Sequence, residues 1–198
     1  NYGSANQVLT TDGSGGTSWA AASGGLSNNA SGTNSLGIGT NTLNSDASDA
    51  ERNVAIGDDA LTAVSTGDDN VALGYKAGES LTTASKSVVI GTNAGRSQVS
   101  NNNVYIGYNT GQNITSGTSN VIIGANAQSF GSSSNVFSNV AVGYEALRNG
   151  RANQCTAIGT EALRQVTTGH KNTACGFYAG RDTTTGVNNL FLGYNAQP

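Results

Sequence analysis

Ten times, at intervals of 16 to 19 residues, the chain returns to one short phrase: Asn or a small substitute, three mostly apolar residues, then Gly. The copies begin with a looser Ser35-Leu-Gly-Ile-Gly39 and run through Asn53-Val-Ala-Ile-Gly57, Asn70-Val-Ala-Leu-Gly74, Ser87-Val-Val-Ile-Gly91, Asn103-Val-Tyr-Ile-Gly107 and Asn120-Val-Ile-Ile-Gly124. They continue with Asn139-Val-Ala-Val-Gly143, Cys155-Thr-Ala-Ile-Gly159, Asn172-Thr-Ala-Cys-Gly176 and Asn189-Leu-Phe-Leu-Gly193. Even self-similarity of this period marks a stacked repeat array, in which each coil contacts chiefly its neighbours along one axis. The fold class that follows is all-β: a parallel β-solenoid, or β-roll, of about ten coils over residues 34–198. Residues 1–33 form a separate N-terminal segment of hairpin and linker.

Composition alone would suggest disorder, because only 11% of residues are charged and 28 of 198 are Gly. The Val, Ile and Leu anchors overrule that, since a disordered chain has no reason to place β-branched residues in register. No run of 18 apolar residues appears, so no membrane insertion is expected. The chain has no Met and starts at Asn1, so it is expected to be a piece of something longer. Residues 1–99 carry nine acids against four bases, and residues 100–198 three acids against five bases. In a solenoid, sequence position is axial position, so charge changes sign along the shaft. Neither half has the basic density of a nucleic-acid partner.

Within one phrase, Val54 and Ile56 share a strand face and Ala55 faces the other way. The flanking positions are expected to fill the coil interior: Val54, Ile56, Val71, Leu73, Val88, Ile90, Val104, Ile106, Val121, Ile123, Val140, Val142, Ile158 and Leu192. The central positions are non-polar as well, and a strand apolar on both faces is buried on both. Ala55, Ala72, Val89, Tyr105, Ile122, Ala141, Ala157, Ala174 and Phe191 are therefore expected at the interface of a side-by-side homotrimer. Three residues past the Gly comes an Ala in most copies, followed by Leu or Gly, which reads as a second short strand. The leading Asn is expected to form a hydrogen-bonded ladder between coils.

The Asn-x-Ala-Ile-Gly phrase with its downstream Ala resembles the head repeats of trimeric autotransporter adhesins of the YadA type, over roughly residues 34–196. That resemblance implies a parallel β-roll with three chains around one axis. Ala5 to Ala20, with its single Trp19, looks like a segment that precedes such repeats in tail fibres of phages and phage-like particles. Read from its residues it is a hairpin: Gln7–Thr11, a turn at 12–16, then Thr17–Ala20. Together these imply a structural and adhesive tail-fibre segment located in a virion, with self, other tail or fibre proteins, and a cell-surface glycan or protein receptor as partners. The alternative is the head of a bacterial trimeric adhesin on the cell surface.

Chemistry-bearing patterns are sparse. The sole histidine, His170, sits in a loop beside Lys171, and no metal-ligand spacing exists, so no cofactor, metal site or catalytic residue is expected. A polysaccharide-cleaving tailspike would need paired carboxylates. The acids Asp46, Asp49, Glu51, Asp58, Asp59, Asp68 and Asp69 read instead as a solvated face, and the chain as no enzyme. An ice-binding solenoid would need a regular Thr-x-Thr rank, which Thr40 and Thr42 start but the next coils do not continue. Cys155 and Cys175 occupy slots four residues apart, about 13 Å laterally at about 3.3 Å per residue, beyond the roughly 7 Å a disulfide spans. Two free thiols are expected. Aromatics follow the phrase Gly at Tyr75, Tyr108, Tyr144, Phe177 and Tyr194. A corner ladder of this kind suits carbohydrate stacking and equally suits packing between corners or chains. With Phe130 and Phe137 of the longest loop, Tyr75, Tyr108 and Tyr144 are candidate receptor contacts.

Overall fold

The computed structural model describes the backbone at residues 7–11 and 17–21 and the full residues at 34–45, 50–129 and 135–198. Two strands, β1 (Gln7–Thr11) and β2 (Thr17–Ala21), pair antiparallel with Leu9 opposite Trp19, the hairpin expected from the turn-rich 12–16 stretch. The rest is one ten-stranded parallel sheet, and there is no helix among the described residues. Its strands are β3 (Leu36–Ile38), β4 (Val54–Ile56), β5 (Val71–Leu73), β6 (Val88–Ile90) and β7 (Val104–Ile106). β8 (Val121–Ile123), β9 (Val140–Val142), β10 (Thr156–Ile158), β11 (Thr173–Cys175) and β12 (Leu190–Leu192) complete it. Strand order follows chain order without a crossover, as a single-start β-solenoid requires. Nine intervals at about 4.8 Å make the sheet about 43 Å long.

Each strand pairs slot on slot with the next. Val54 lies opposite Val71, Ala55 opposite Ala72, and Ile56 opposite Leu73, and the same correspondence runs to Phe191 and Leu192. Every strand of this parallel sheet is only three residues long because Gly ends it. At Gly57 φ is +125°, outside the reach of ordinary L residues, and a Cβ there would lie 2.6 Å from the carbonyl carbon of Gly74. The glycines thus stack backbone on backbone at one corner.

Burial reverses the two strand faces expected from sequence. Ala55, Ala72, Val89, Tyr105, Ile122, Ala141, Ala157 and Ala174 are all 0% exposed within the single chain, and Phe191 is 6% exposed. These side chains fill the coil and form no interface between chains. Val54, Ile56, Val71, Leu73, Val88, Ile90, Val104, Ile106, Val121, Ile123, Val140, Val142, Ile158 and Leu192 point outward, half-buried or exposed. The physical reason is lumen size. A coil of about 17 residues has room for one strand side chain per rung, opposed by residues of the far wall.

The far wall is not a second strand, as the sequence pattern suggested, but a turn with left-handed residues. Asp59 (φ +59°) and Leu61 (φ +48°) flank Ala60, and the equivalent slots repeat this in the first nine coils, whereas in the last only Asn195 (φ +50°) keeps it. Backbone bonds still run from coil to coil there, from Leu61 N–H to Ala77 C=O at 3.1 Å and from Gly95 N–H to Thr110 C=O at 2.8 Å. The Leu61 slot holds Leu43, Leu61, Leu147 and Leu163, or Gly78, Gly95, Gly111 and Gly180, with Gln128 in the coil of Ile122. Volume explains the choice. Leu stands across from Gly37, Ala55, Ala141 and Ala157. Gly95 and Gly111 flank Tyr105, where an added Cβ would lie 2.9 and 2.6 Å from the ring. Gly78 leaves room for Leu81, and an added Cβ would meet its Cδ1 at 2.8 Å. In the coil of Ala174 the space at Gly180 is taken by neighbouring rungs, since an added Cβ would lie 2.5 Å from Phe191 Cδ2 and 2.7 Å from Leu163 Cδ2.

Candidate functional site

The interior carries a polar spine beside its apolar fill. Asn53, Asn70, Asn103, Asn120, Asn139 and Asn172 are 0% exposed. Asn120 shows the pattern. Its backbone N–H donates to Asn103 Oδ1 at 2.9 Å, its Nδ2 donates to that same oxygen at 3.0 Å and to Val136 C=O at 2.8 Å. Its own Oδ1 accepts from Asn139 N–H at 3.0 Å. Ser87 and Cys155 keep the run continuous: Ser87 N–H donates to Asn70 Oδ1, and Cys155 N–H to Asn139 Oδ1. The expected ladder therefore exists, and it is a buried structural device. Cys155 is free and buried, its thiol pushed up by burial, whereas Cys175 is free and exposed in an outward slot. Burial likewise pushes the Tyr105 phenol well above the usual tyrosine range.

Three outward features remain for function. The first is the sheet face itself, two aliphatic ladders on either side of the inward row. Ile56 (38%), Ile158 (42%), Leu190 (71%) and Leu192 (72%) are its most exposed members in the isolated chain, with Leu36 (39%) at the other end. The second is the corner after the phrase Gly. Tyr75, Tyr108 and Tyr144 are each about half exposed and stand on non-adjacent coils, so none stacks on another. Only the last pair touches: Phe177 and Tyr194 stack with centroids 5.7 Å apart and planes 6° apart. Phe137 is exposed in the edge leading to β9, and Phe130 lies outside the described residues.

The third is charge. Arg52 joins Asp69 at 2.6 Å and also meets Glu51 and Asp68. That hydrogen bond holds the Asp69 carboxyl below the usual range and pushes the Arg52 guanidinium up. On the opposite edge Glu79 bridges Lys76 at 3.0 Å and Arg96 at 2.5 Å. Burial pushes its carboxyl up, but the hydrogen bonds from Arg96 and Lys76 outweigh this and leave it lowered. Further along, Glu145 bridges Arg164 at 2.6 Å and Arg148 at 3.5 Å, and Glu161 meets Arg181 at 3.3 Å. Among the described residues, only Lys86, Arg151 and Lys171 of the nine Lys and Arg form no ion pair.

Among the described residues no group of three His, Cys, Asp or Glu side chains is placed to hold a metal, and no helix is long and apolar enough to cross a membrane. Searches against protein-family models, curated proteins and solved structures returned no match.

Proposed function

We propose that this chain is a structural and adhesive segment of a phage or phage-like tail fibre, working as a side-by-side homotrimer whose contacts run along the outward aliphatic ladders. The observation that carries the reading is that sheet face. Monomeric proteins rarely leave a contiguous apolar strip of more than roughly a few hundred Å² uncovered, and larger strips mark association surfaces. Here the strip runs along the axis from β3 to β9, is interrupted by Thr156, Thr173 and Cys175, and resumes at Leu190 and Leu192, and three copies around one axis would cover it in each chain. A fibre segment must also transmit load. The parallel sheet, the turn-to-turn bonds and the Asn spine tie each coil to the next at several points around its circumference. Resemblance of the repeat to trimeric adhesin heads, and of residues 5–20 to tail-fibre segments, points the same way. The corner tyrosines and Phe137 are the receptor-facing candidates, and neighbouring tail or fibre proteins are the partners in the particle.

The test is molar mass by light scattering at micromolar concentration. A trimer of the 19.9 kDa chain should give about 60 kDa. A monodisperse monomer would overturn the proposal.

A further inference from the structure

The edge of the solenoid just before the strands changes character along the axis. In the N-terminal coils it carries Glu51, Asp68 and Asp69 around Arg52. In the C-terminal coils the same edge opens into a cleft of about 380 Å³ lined by Arg151, Asn153, Gln154, Thr168, His170 and Lys171. No carboxylate lines it. Two of the three cations without an ion pair among the described residues are therefore in one cleft, whereas Arg148, Arg164 and Arg181 of the same coils are all matched to Glu145 or Glu161. The third, Lys86, stands in the same repeat slot as Lys171 but outside the cleft.

We infer that this cleft binds an acidic saccharide, a sugar carrying a carboxylate, with Arg151 and Lys171 meeting the anion and the neutral groups meeting hydroxyls. A fork of Arg donors suits a carboxylate in two parallel hydrogen bonds, and Lys adds a point charge. Asn153, Gln154 and Thr168 bring the uncharged donors and acceptors that a bare anion would not use and a sugar ring does. An aromatic is close by. Phe137 N–H donates to Asn153 Oδ1 at 2.8 Å and its carbonyl accepts from Gln154 N–H at 2.9 Å, which places the exposed Phe137 on the rung next to the cleft. That Oδ1 contact fixes the Asn153 amide and leaves its NH2 group to donate. The frame is held as well: Lys171 N–H bonds Asn153 C=O at 3.0 Å and Asn188 N–H bonds His170 C=O at 3.2 Å. The volume lies within the range of small-molecule sites. The inference gives the attachment reading a ligand class and rests on that reading only for its biological purpose.

The experiment titrates the full, isotope-labelled chain with an unsulfated hexuronate–N-acetylhexosamine disaccharide while following amide NMR shifts. Uncharged chitobiose and inorganic sulfate serve as comparison probes. The expected result is saturable shifts at Asn153, Gln154, Thr168 and Lys171 with the acidic disaccharide and none with chitobiose. Arg151→Ala with Lys171→Asn, chosen because Asn tolerates the left-handed backbone at 171, should weaken binding by about tenfold or more. Lys86→Ala should leave it unchanged. Absence of saturable shifts, shifts indifferent to the double variant, or sulfate acting as strongly as the disaccharide would each overturn the inference. Light scattering on the same samples separates the two readings, since a binding monomer keeps this site and removes the trimeric fibre, and a trimer that does not bind does the reverse.

Discussion

Ala141 and Val142 are neighbours in β9, yet one sits at 0% exposure inside the coil and the other is turned outward on the sheet. The two faces of this strand, and of the nine others, are both apolar and are governed by different constraints. Inside, volume is fixed rung by rung: Tyr105 coexists with Gly95 and Gly111, and Ala55, Ala141 and Ala157 coexist with Leu61, Leu147 and Leu163. Outside, the side chains are large and of near-constant type over most rungs, with Thr156, Thr173 and Cys175 as the exceptions. A face filled by its own chain shows compensation between distant slots. The outward face, which the proposed trimer would cover, shows none.

Charging each face separately should break that contrast most widely. Ala141→Arg buries a guanidinium in a lumen with no partner for it, and should abolish folding of several coils together, read as loss of the β-sheet signal in circular dichroism. Ile123→Asp should leave the β signal in place and instead prevent trimer formation, read by light scattering. Next in size is the polar spine. Asn120→Ala removes the side chain that serves Asn139 N–H and Val136 C=O and should cost about 2–4 kcal/mol in denaturant unfolding at fixed protein concentration. Asn120→Ser, the residue type that stands at 87 in the same slot, should cost less.

Volume compensation offers a sharper comparison of lower amplitude. Gly111→Leu drives a side chain into the Tyr105 ring and should destabilise, and adding Tyr105→Ala should restore much of the loss. A coupling of about 2 kcal/mol in the double-mutant cycle is expected. The outward residues Val104 and Leu73 should show no coupling of this kind with the Leu61 slot. The smallest effect is acidic. Asp69 and Glu79 have lowered pKa values in the folded chain, so their contribution is present above the unfolded values of about 4. It is lost as pH falls through the lowered folded values. The melting temperature should dip slightly below about pH 4, and added salt should shrink mainly the Asp69 part of the dip, because the Arg52–Asp69 pair is exposed and the Glu79 pairs are half-buried.

Much of this architecture is legible in the chain. The glycine intervals place all ten strands, since a Gly that must adopt φ near +130° ends each strand at one repeating point. The strand faces are not legible from hydropathy, because register is normally fixed by which face is polar, and here neither is over most rungs. One signal was available: Asn53 is two residues from Ala55, so by the period of a strand an inward Asn ladder carries Ala55 inward with it. The Leu-or-Gly alternation after Ala60 likewise argues against a second strand, because both types there hold a left-handed backbone. The cleft was beyond reach. Arg151 and Lys171 lie 20 positions apart and meet only because one coil intervenes.

The two native cysteines test the assignment of faces most directly. Cys155 occupies the inward Asn slot and Cys175 the outward Ile56 slot. In the Ile123→Asp variant, which should be a folded monomer, a thiol reagent followed by peptide mass analysis should label Cys175 rapidly. Cys155, buried and with its thiol pushed up, should react only on unfolding. Labelling of Cys155 in the folded chain while Cys175 stays protected would put the aliphatic ladders inside the coil and contradict the account.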